Sequence, residues 1–216
     1  MEQIISDAIA FIRAAFAGDS SGHDYYHSMR VYQTALLIAK REHADAGIVA
    51  LAALLHDVDD RKLSPQTHAH KDNAVRFLTE HGVSEESIRR ICLIIDEVSF
   101  SGSDSVRPST LEGQCVQDAD RLDALGAIGI ARTFAYGGSH GRAMYDPDDP
   151  PMLNMNRAEY EKRVSSSLNH FYEKLFLLKD MMSTDYGRKI AEKRDIYMRE
   201  FAARFMAEWD GADIDL

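Results

Sequence analysis

Two polar residues stand side by side in a segment that is otherwise apolar. His56 is followed directly by Asp57 in residues 46–58, AGIVALAALLHDV. A carboxylate buried in apolar surroundings costs several kcal/mol unless it is paired or binds a cation. The alternative is that the two residues only cap the end of a helix, where Asp59 and Asp60 lead into a turn. These residues by themselves therefore predict either a cation site or a helix cap.

A second group of acidic residues favours the cation site. Asp118, Asp120 and Asp123 lie within VQDADRLDALG, whose flanks are apolar. Three carboxylates this close repel one another unless a cation or an arginine lies among them. Asp120 and Asp123 are three positions apart and share a helix face. Two imidazoles and two carboxylates suit a divalent transition metal with coordination positions left open for water. The spacing does not decide which histidine pairs with which aspartate.

Three short motifs occur in a fixed order along the chain. They are His27 in H-x-x-R-V, the pair His56-Asp57, and Asp120 in D-A-D-R. In this respect the sequence resembles the HD-domain metal-dependent phosphohydrolases, specifically their small stand-alone bacterial members. The resemblance is strongest over about residues 20–136. It implies an enzyme in which the four named residues bind one divalent metal ion, with Mn, Mg, Ni, Co and Fe as the candidates.

The resemblance also separates Asp118 from Asp120. The metal ligand of the family directly precedes a basic residue, and Arg121 follows Asp120. Asp118 is then expected to orient a ligand histidine or a water from outside the ligand set.

Hydrolysis of a phosphate ester or anhydride also needs charge neutralisation and a proton carrier. Asp60 lies three residues after Asp57, where related hydrolases carry an acid that handles the attacking water or the leaving group. Its alternative is a solvated acid in a turn. Arg30 and Arg121 are the first candidates for catalytic contacts with phosphate, because each lies next to a ligand motif. The full set of candidate substrate-binding residues is Arg30, Arg61, Lys62, Arg121 and His23.

Another HD dipeptide, His23-Asp24, stands at the start of the second helix. Asp24 is expected to be the N-cap of that helix, because aspartate accepts hydrogen bonds from the first free backbone N–H groups. His23, one turn before His27, could still face the site.

The leading functional hypothesis is hydrolysis of a nucleotide. Release of pyrophosphate from a nucleoside triphosphate is slightly favoured over removal of phosphate from a monophosphate, because basic residues cluster around the ligands. A non-catalytic nucleotide or metal sensor is the first alternative, against which the complete ligand set and Asp60 argue. A di-iron oxygenase is the second. It needs additional histidines, and His68 and His70 are available, but their i, i+2 spacing points them to different helix faces.

The elements that must position these residues are helical throughout. Apolar residues recur with helical periodicity and no segment alternates like a strand, so we predict an all-α, HD-type helical bundle. One domain is expected over 1–216, with the HD core at about 20–136 and accessory C-terminal helices at about 157–209. The irregular stretch 137–155 is either a lid or a mobile loop. The predicted helices are 2–17, 25–43, 46–58, 68–81, 84–98, 111–136, 157–182 and 184–209.

Composition restricts the partners. The 216 residues carry 25 basic and 35 acidic side chains, a net charge of 25 − 35 = −10, which argues against a protein that coats duplex nucleic acid. No stretch approaches the roughly 18 apolar residues that span a membrane, and the N-terminus lacks the pattern of a signal peptide. We expect a cytoplasmic protein that binds a small phosphorylated molecule. The terminal helices either complete the core or pair with a second copy as a homodimer.

Overall fold

The computed structural model describes residues 1–18, 24–60, 64–98 and 105–212. Every regular element within these ranges is helical, which confirms the predicted all-α fold. A π-helical turn at Phe171–Leu175 and a 3₁₀ turn at Lys179–Met181 flank the short α9. The α-helices are α1 (Glu2–Ala15), α2 (Tyr25–Glu42), α3 (Ala46–Leu55), α4 (Asp72–Glu80), α5 (Glu85–Val98), α6 (Leu111–Asp123), α7 (Gly126–Ser139), α8 (Arg157–Lys162), α9 (Phe176–Leu178) and α10 (Asp185–Trp209).

The chain divides into two compact units. The first holds α1–α5, the part of α6 that ends at Asp120, and Ser183–Gly187. The second holds Arg121–Met182 and the chain from Arg188 onward. That residues 1–216 form a single domain stays a prediction.

Helix α3 is the buried centre of the first unit. Its N-cap is Asp45, whose carboxylate accepts hydrogen bonds from the backbone N–H groups of Gly47 and Ile48. All eight residues from Ile48 to Leu55 are buried, as the apolar pattern predicts. The helix ends at Leu55, three residues earlier than expected. His56 and Asp57 therefore belong to the turn that follows it.

The region 111–136, predicted as one helical region with a bend or close packing at its glycines, is two helices. Gly126 begins α7 with φ +72°, a left-handed conformation that a side chain disfavours. At Gly129 a Cβ atom would lie 2.1 Å from the carbonyl oxygen of Ala124, so no larger residue fits. These two glycines allow α7 to start with only two residues between it and the end of α6.

The prediction of a single helix over 157–182 was wrong. Helix α8 ends at Lys162, because Arg163 takes an extended conformation and its guanidinium binds the carboxylates of Asp149 and Glu173. Glu173 is 5% exposed, so leaving it without these partners would be costly. The predicted helix 184–209 is confirmed as α10.

The stretch 137–155, predicted as irregular, begins with the last three residues of α7, and the remainder is held by hydrogen bonds within the second unit. The backbone N–H groups of Ser167 and Leu168 donate to the carbonyl oxygens of Ala143 and Met144. The side-chain amide of Asn169 donates to the carbonyl of Asp149. That the stretch acts as a lid stays a prediction.

Neither cysteine forms a disulfide; Cys115 is buried and Cys92 is half-buried. Burial raises the pKa of the Cys115 thiol to about 12, in keeping with an inert core residue. Within the described ranges, no helix combines the length and the apolar character needed to cross a membrane.

Candidate metal centre

Two buried histidines form the floor of the site. His27 is the third residue of α2, where the Asp24 carboxylate accepts a hydrogen bond from its backbone N–H at 2.7 Å. Asp24 is thus the N-cap that the sequence predicts. His56 follows the buried α3. The Nε2 atoms of the two rings lie 3.3 Å apart.

A backbone contact sets the tautomer of His56. Its Nδ1 lies 2.8 Å from the carbonyl oxygen of Ala53. Because a carbonyl only accepts, Nδ1 must carry the hydrogen, and the neutral ring then presents a lone pair at Nε2, towards His27. This arrangement, with a backbone carbonyl fixing the outer nitrogen, is the usual one for a metal-binding histidine.

Two carboxylates complete the group. Asp57 Oδ2 lies 3.4 Å from His27 Nε2 and 3.3 Å from His56 Nε2. Asp120 Oδ1 lies 3.4 Å and 3.9 Å from the same two nitrogens. The ligand atoms offered by His27, His56 and Asp57 all lie within 4.8 Å of one another. The structure therefore brings together the four residues predicted as metal ligands.

The electrostatics of the group favour a cation. Burial opposes a charge on His56, but the carboxylates of Asp57 and Asp120 outweigh it and raise the pKa of His56. Burial likewise opposes ionisation of Asp120, yet its contact with His27 and the nearby His56 lower the pKa of Asp120. The site thus stabilises positive charge at the imidazoles. The donor set of two nitrogens and two carboxylate oxygens fits a divalent transition metal.

The turn that carries Asp57 is anchored to α4. The buried Asp59 carboxylate accepts hydrogen bonds from the backbone N–H groups of Asn73 and Ala74 at 3.2 and 2.9 Å. The side-chain amide of Asn73 donates to the carbonyl of Val58 at 3.3 Å. Asp59 is therefore a cap for α4, a role that the sequence did not predict. Asp60 is half-buried, and its acid–base role stays a prediction.

Asp118 has a different environment from Asp120. It is fully buried, and its carboxylate accepts hydrogen bonds from the backbone N–H groups of Ser183 and Thr184 and from the Thr184 hydroxyl. At Gly187, a Cβ atom would lie 2.5 Å from Asp118 Oδ2. These contacts anchor the chain just before α10, whereas the sequence predicted an acid that orients a metal ligand.

The basic candidates fall into three groups. Arg121 is 4% exposed, and its guanidinium donates to the carbonyl of Met181. Arg30 is half-buried on α2, one turn after His27. Their roles in phosphate binding stay predictions. Three further candidates lie outside the described residues: His23, Arg61 and Lys62.

The two histidines available for a di-iron site are placed as follows. His68 Nδ1 lies 2.9 Å from the carbonyl oxygen of Asp59, and His70 is exposed. In the described part of the chain, the side chains that could hold a metal ion together are those of His27, His56 and Asp57. Neither His68 nor His70 belongs to this group.

Comparison with known proteins agrees with this geometry. The HD domain family matches residues 24–125, a range that includes all four candidate ligands. YpgQ of Bacillus subtilis is 36% identical over 207 residues, which are 95% of this chain and 93% of YpgQ.

Solved structures extend the similarity to nearly the whole chain. An HD-superfamily hydrolase from Bacillus thuringiensis is 43% identical, with a TM-score of 0.77 and coverage of 97% of this chain and 98% of that one. The crystal structure of YpgQ in complex with ADP gives 34% identity, a TM-score of 0.75, and coverage of 94% and 96%. The resemblance read from three short motifs is confirmed, and the chain belongs to the HD-domain family of metal-dependent phosphohydrolases.

Proposed function

We propose that this phosphohydrolase converts a nucleoside triphosphate into a nucleoside monophosphate and pyrophosphate. The observation that supports a nucleotide substrate is the ADP bound by YpgQ, whose sequence aligns with 95% of this chain at 36% identity. Release of pyrophosphate is preferred to release of phosphate because several basic residues surround the ligand motifs in the sequence: Arg30, Arg61, Lys62 and Arg121.

The candidate ligand residues and the residues that hold them in place have separate roles. His27, His56, Asp57 and Asp120 would hold one divalent ion. When bound, such an ion polarises the phosphoryl group and makes water a better nucleophile near neutral pH. The His56–Ala53 contact keeps the ring in the required tautomer, and the Asp59 cap on α4 holds the turn that carries Asp57.

Proton transfer is assigned to Asp60. The bond that breaks joins the α-phosphorus to the oxygen that bridges to the β-phosphate, and the oxygen of water forms the new bond. Asp60 accepts the proton of the attacking water. The backbone N–H of Asp60 donates to the carbonyl of Asp57 at 3.0 Å, so the turn keeps the two residues close in space. Arg30 is assigned to the phosphates, because a guanidinium can bind two oxygens at once.

The test is a nucleotide panel assayed with manganese, magnesium, nickel and cobalt in turn, in which pyrophosphate and phosphate are detected separately. We expect equal amounts of pyrophosphate and monophosphate from triphosphates, and no activity in Asp57→Ala. Asp72→Asn, an exposed acid in the first turn of α4, is the matched control and should keep full activity. Phosphate release from monophosphates with triphosphates intact would overturn the proposal. Nucleotide binding without turnover for any metal would instead favour the sensor.

A further inference from the structure

A cavity of about 510 Å³ lies in the first unit, between α1, the turn after Asp57 and α4. This volume is within the usual range for small-molecule sites. Two alanines of α1, Ala14 and Ala15, form part of the wall. The remaining described lining residues are Phe11, Phe16, Val58, Ser64, Asn73 and Arg76.

The apolar part of the wall suits a flat ring. Phe11 stacks on Phe77, with ring centroids 5.1 Å apart and an angle of 26° between the planes. Phe16 is 7% exposed and is therefore held by its surroundings. Two fixed phenyl rings with Val58 offer apolar and stacking contacts to a planar aromatic group.

The polar part of the wall has one positive charge. The Asn73 amide donates to Val58 and Thr67, and its oxygen accepts a hydrogen bond from Arg76 at 3.1 Å. Asn73 thus orients the guanidinium. That bond uses one of the five N–H donors of Arg76. In the ranges that the structure describes, no carboxylate forms an ion pair with Arg76, so its charge is available for an anion.

We propose that this cavity is a second nucleotide-binding site, which takes a nucleoside monophosphate. The base would lie against Phe11 and Phe16, and the phosphate monoester would bind Arg76, since one guanidinium pairs with one phosphate group through two parallel hydrogen bonds. Ser64 offers a hydroxyl for the polar edge of the base. The choice of a nucleotide among ring-bearing anions rests on the proposed function, whose product is a nucleoside monophosphate.

The test is equilibrium dialysis with radiolabelled AMP, repeated with GMP, CMP and UMP, on the full-length protein. Arg76→Gln should weaken binding at least 10-fold. Ala15→Trp should abolish it by filling the cavity, and because Ala15 is exposed the fold should tolerate the larger side chain. Arg89→Gln is the matched control, since Arg89 lies on α5 and pairs with Glu85 on the surface. It should bind like the wild type.

Asp57→Ala separates this cavity from the metal centre. We expect that variant to retain one bound monophosphate per chain. Loss of all binding in Asp57→Ala would place the ligand at the metal centre and overturn the inference. So would unchanged binding in both Arg76→Gln and Ala15→Trp, or no binding of any monophosphate. Failure of the hydrolysis assay with monophosphate binding intact would overturn the proposed reaction and leave the second site standing.

Discussion

Asp118 and Thr184 are joined by two hydrogen bonds through one carboxylate oxygen. Asp118 Oδ2 accepts from the Thr184 backbone N–H at 2.8 Å and from its hydroxyl at 2.7 Å. Two positions further along α6, Asp120 contacts His27. Residues two apart on a helix point in directions that differ by about 200°. Helix α6 therefore directs Asp118 towards the start of α10 and Asp120 towards the metal centre.

Asp118→Asn should therefore reduce stability rather than metal binding. Replacing one carboxylate oxygen by an amide places a donor against backbone donors at a fully buried position. We expect a loss of about 2–4 kcal/mol in the free energy of unfolding, measured by urea denaturation. Thr184→Val, which removes only the hydroxyl, should cost less. Loss of metal at unchanged stability in Asp118→Asn would show that Asp118 is a ligand instead.

Asp120→Asn should show the opposite behaviour. The amide keeps the size of the side chain but lacks the negative charge that faces the two imidazoles, so bound metal and activity should both be lost. Helicity should stay near that of the wild type. Metal analysis by mass spectrometry together with circular dichroism makes the comparison. His56→Ala and Asp57→Ala should behave alike, and stoichiometric metal in all three variants would contradict the ligand assignment.

Metal affinity should fall as the pH is lowered. The pKa of His56 is raised, because the carboxylates of Asp57 and Asp120 outweigh the effect of burial. Below that raised pKa the ring holds a proton at the nitrogen that would bind the metal, so binding must release the proton. Calorimetric titration with manganese in buffers of different ionisation enthalpy counts the released protons. Binding that releases none at pH 6 would contradict this prediction.

Asp60→Asn should separate catalysis from binding. Metal content and substrate affinity should change little, whereas turnover should fall by about 10²–10⁴-fold, the usual loss for an acid–base group. Steady-state kinetics and metal analysis on one preparation make the measurement. Full turnover across the pH profile would reduce Asp60 to a residue of the turn.

The buried His170 should make the folded state less stable as the pH is lowered. Burial, together with the charges of Lys174 and Arg142, lowers the pKa of His170 to about 3. The unfolded chain binds a proton near the ordinary histidine pKa of about 6.5 while the folded state does not. The contribution of His170 to the free energy of unfolding is therefore complete above the unfolded-state pKa of about 6.5. It declines as the pH falls towards 3, by at most about 1.4 kcal/mol per pH unit.

Urea denaturation between pH 7.5 and 5 tests this slope. His170→Asn should have a shallower pH dependence than the wild type. The control is His140→Asn, because His140 is exposed, and its slope should match that of the wild type. Identical slopes in all three proteins would show that His170 takes up its proton without unfolding.

The residues predicted best from the sequence are those whose environment is local. The Asp24 cap contacts a residue three positions away, and the burial of α3 follows from its continuous apolar run. The four candidate metal ligands, which the structure brings together, could be chosen because their motifs, although distant in sequence, occur in a recognisable order. Asp59 and Asp118 carry no such signal, because their partners lie 14 and 65 positions away.

The C-terminal helices show the same limit. An amphipathic pattern predicts one helix over 157–182, but periodicity does not reveal that Glu173 will be buried with Arg163 and Ser165. Once that carboxylate is buried, its hydrogen bonds require the chain at Arg163 to leave the helix. The contact of the Arg121 guanidinium with the Met181 carbonyl is a further example, because the two residues lie 60 positions apart and no local pattern indicates it.

The turn that follows α3 implies uneven mutational tolerance over four adjacent positions. In a saturation mutagenesis screen for activity, Asp57 should accept no replacement, because its oxygen faces both imidazoles. Asp59 should accept asparagine and, less well, serine, since either can cap α4. Val58 is 4% exposed and should accept only small apolar residues. Replacements of Asp60 should abolish activity at normal protein abundance, so a paired abundance screen would separate this proposed proton acceptor from Asp59, which caps the helix.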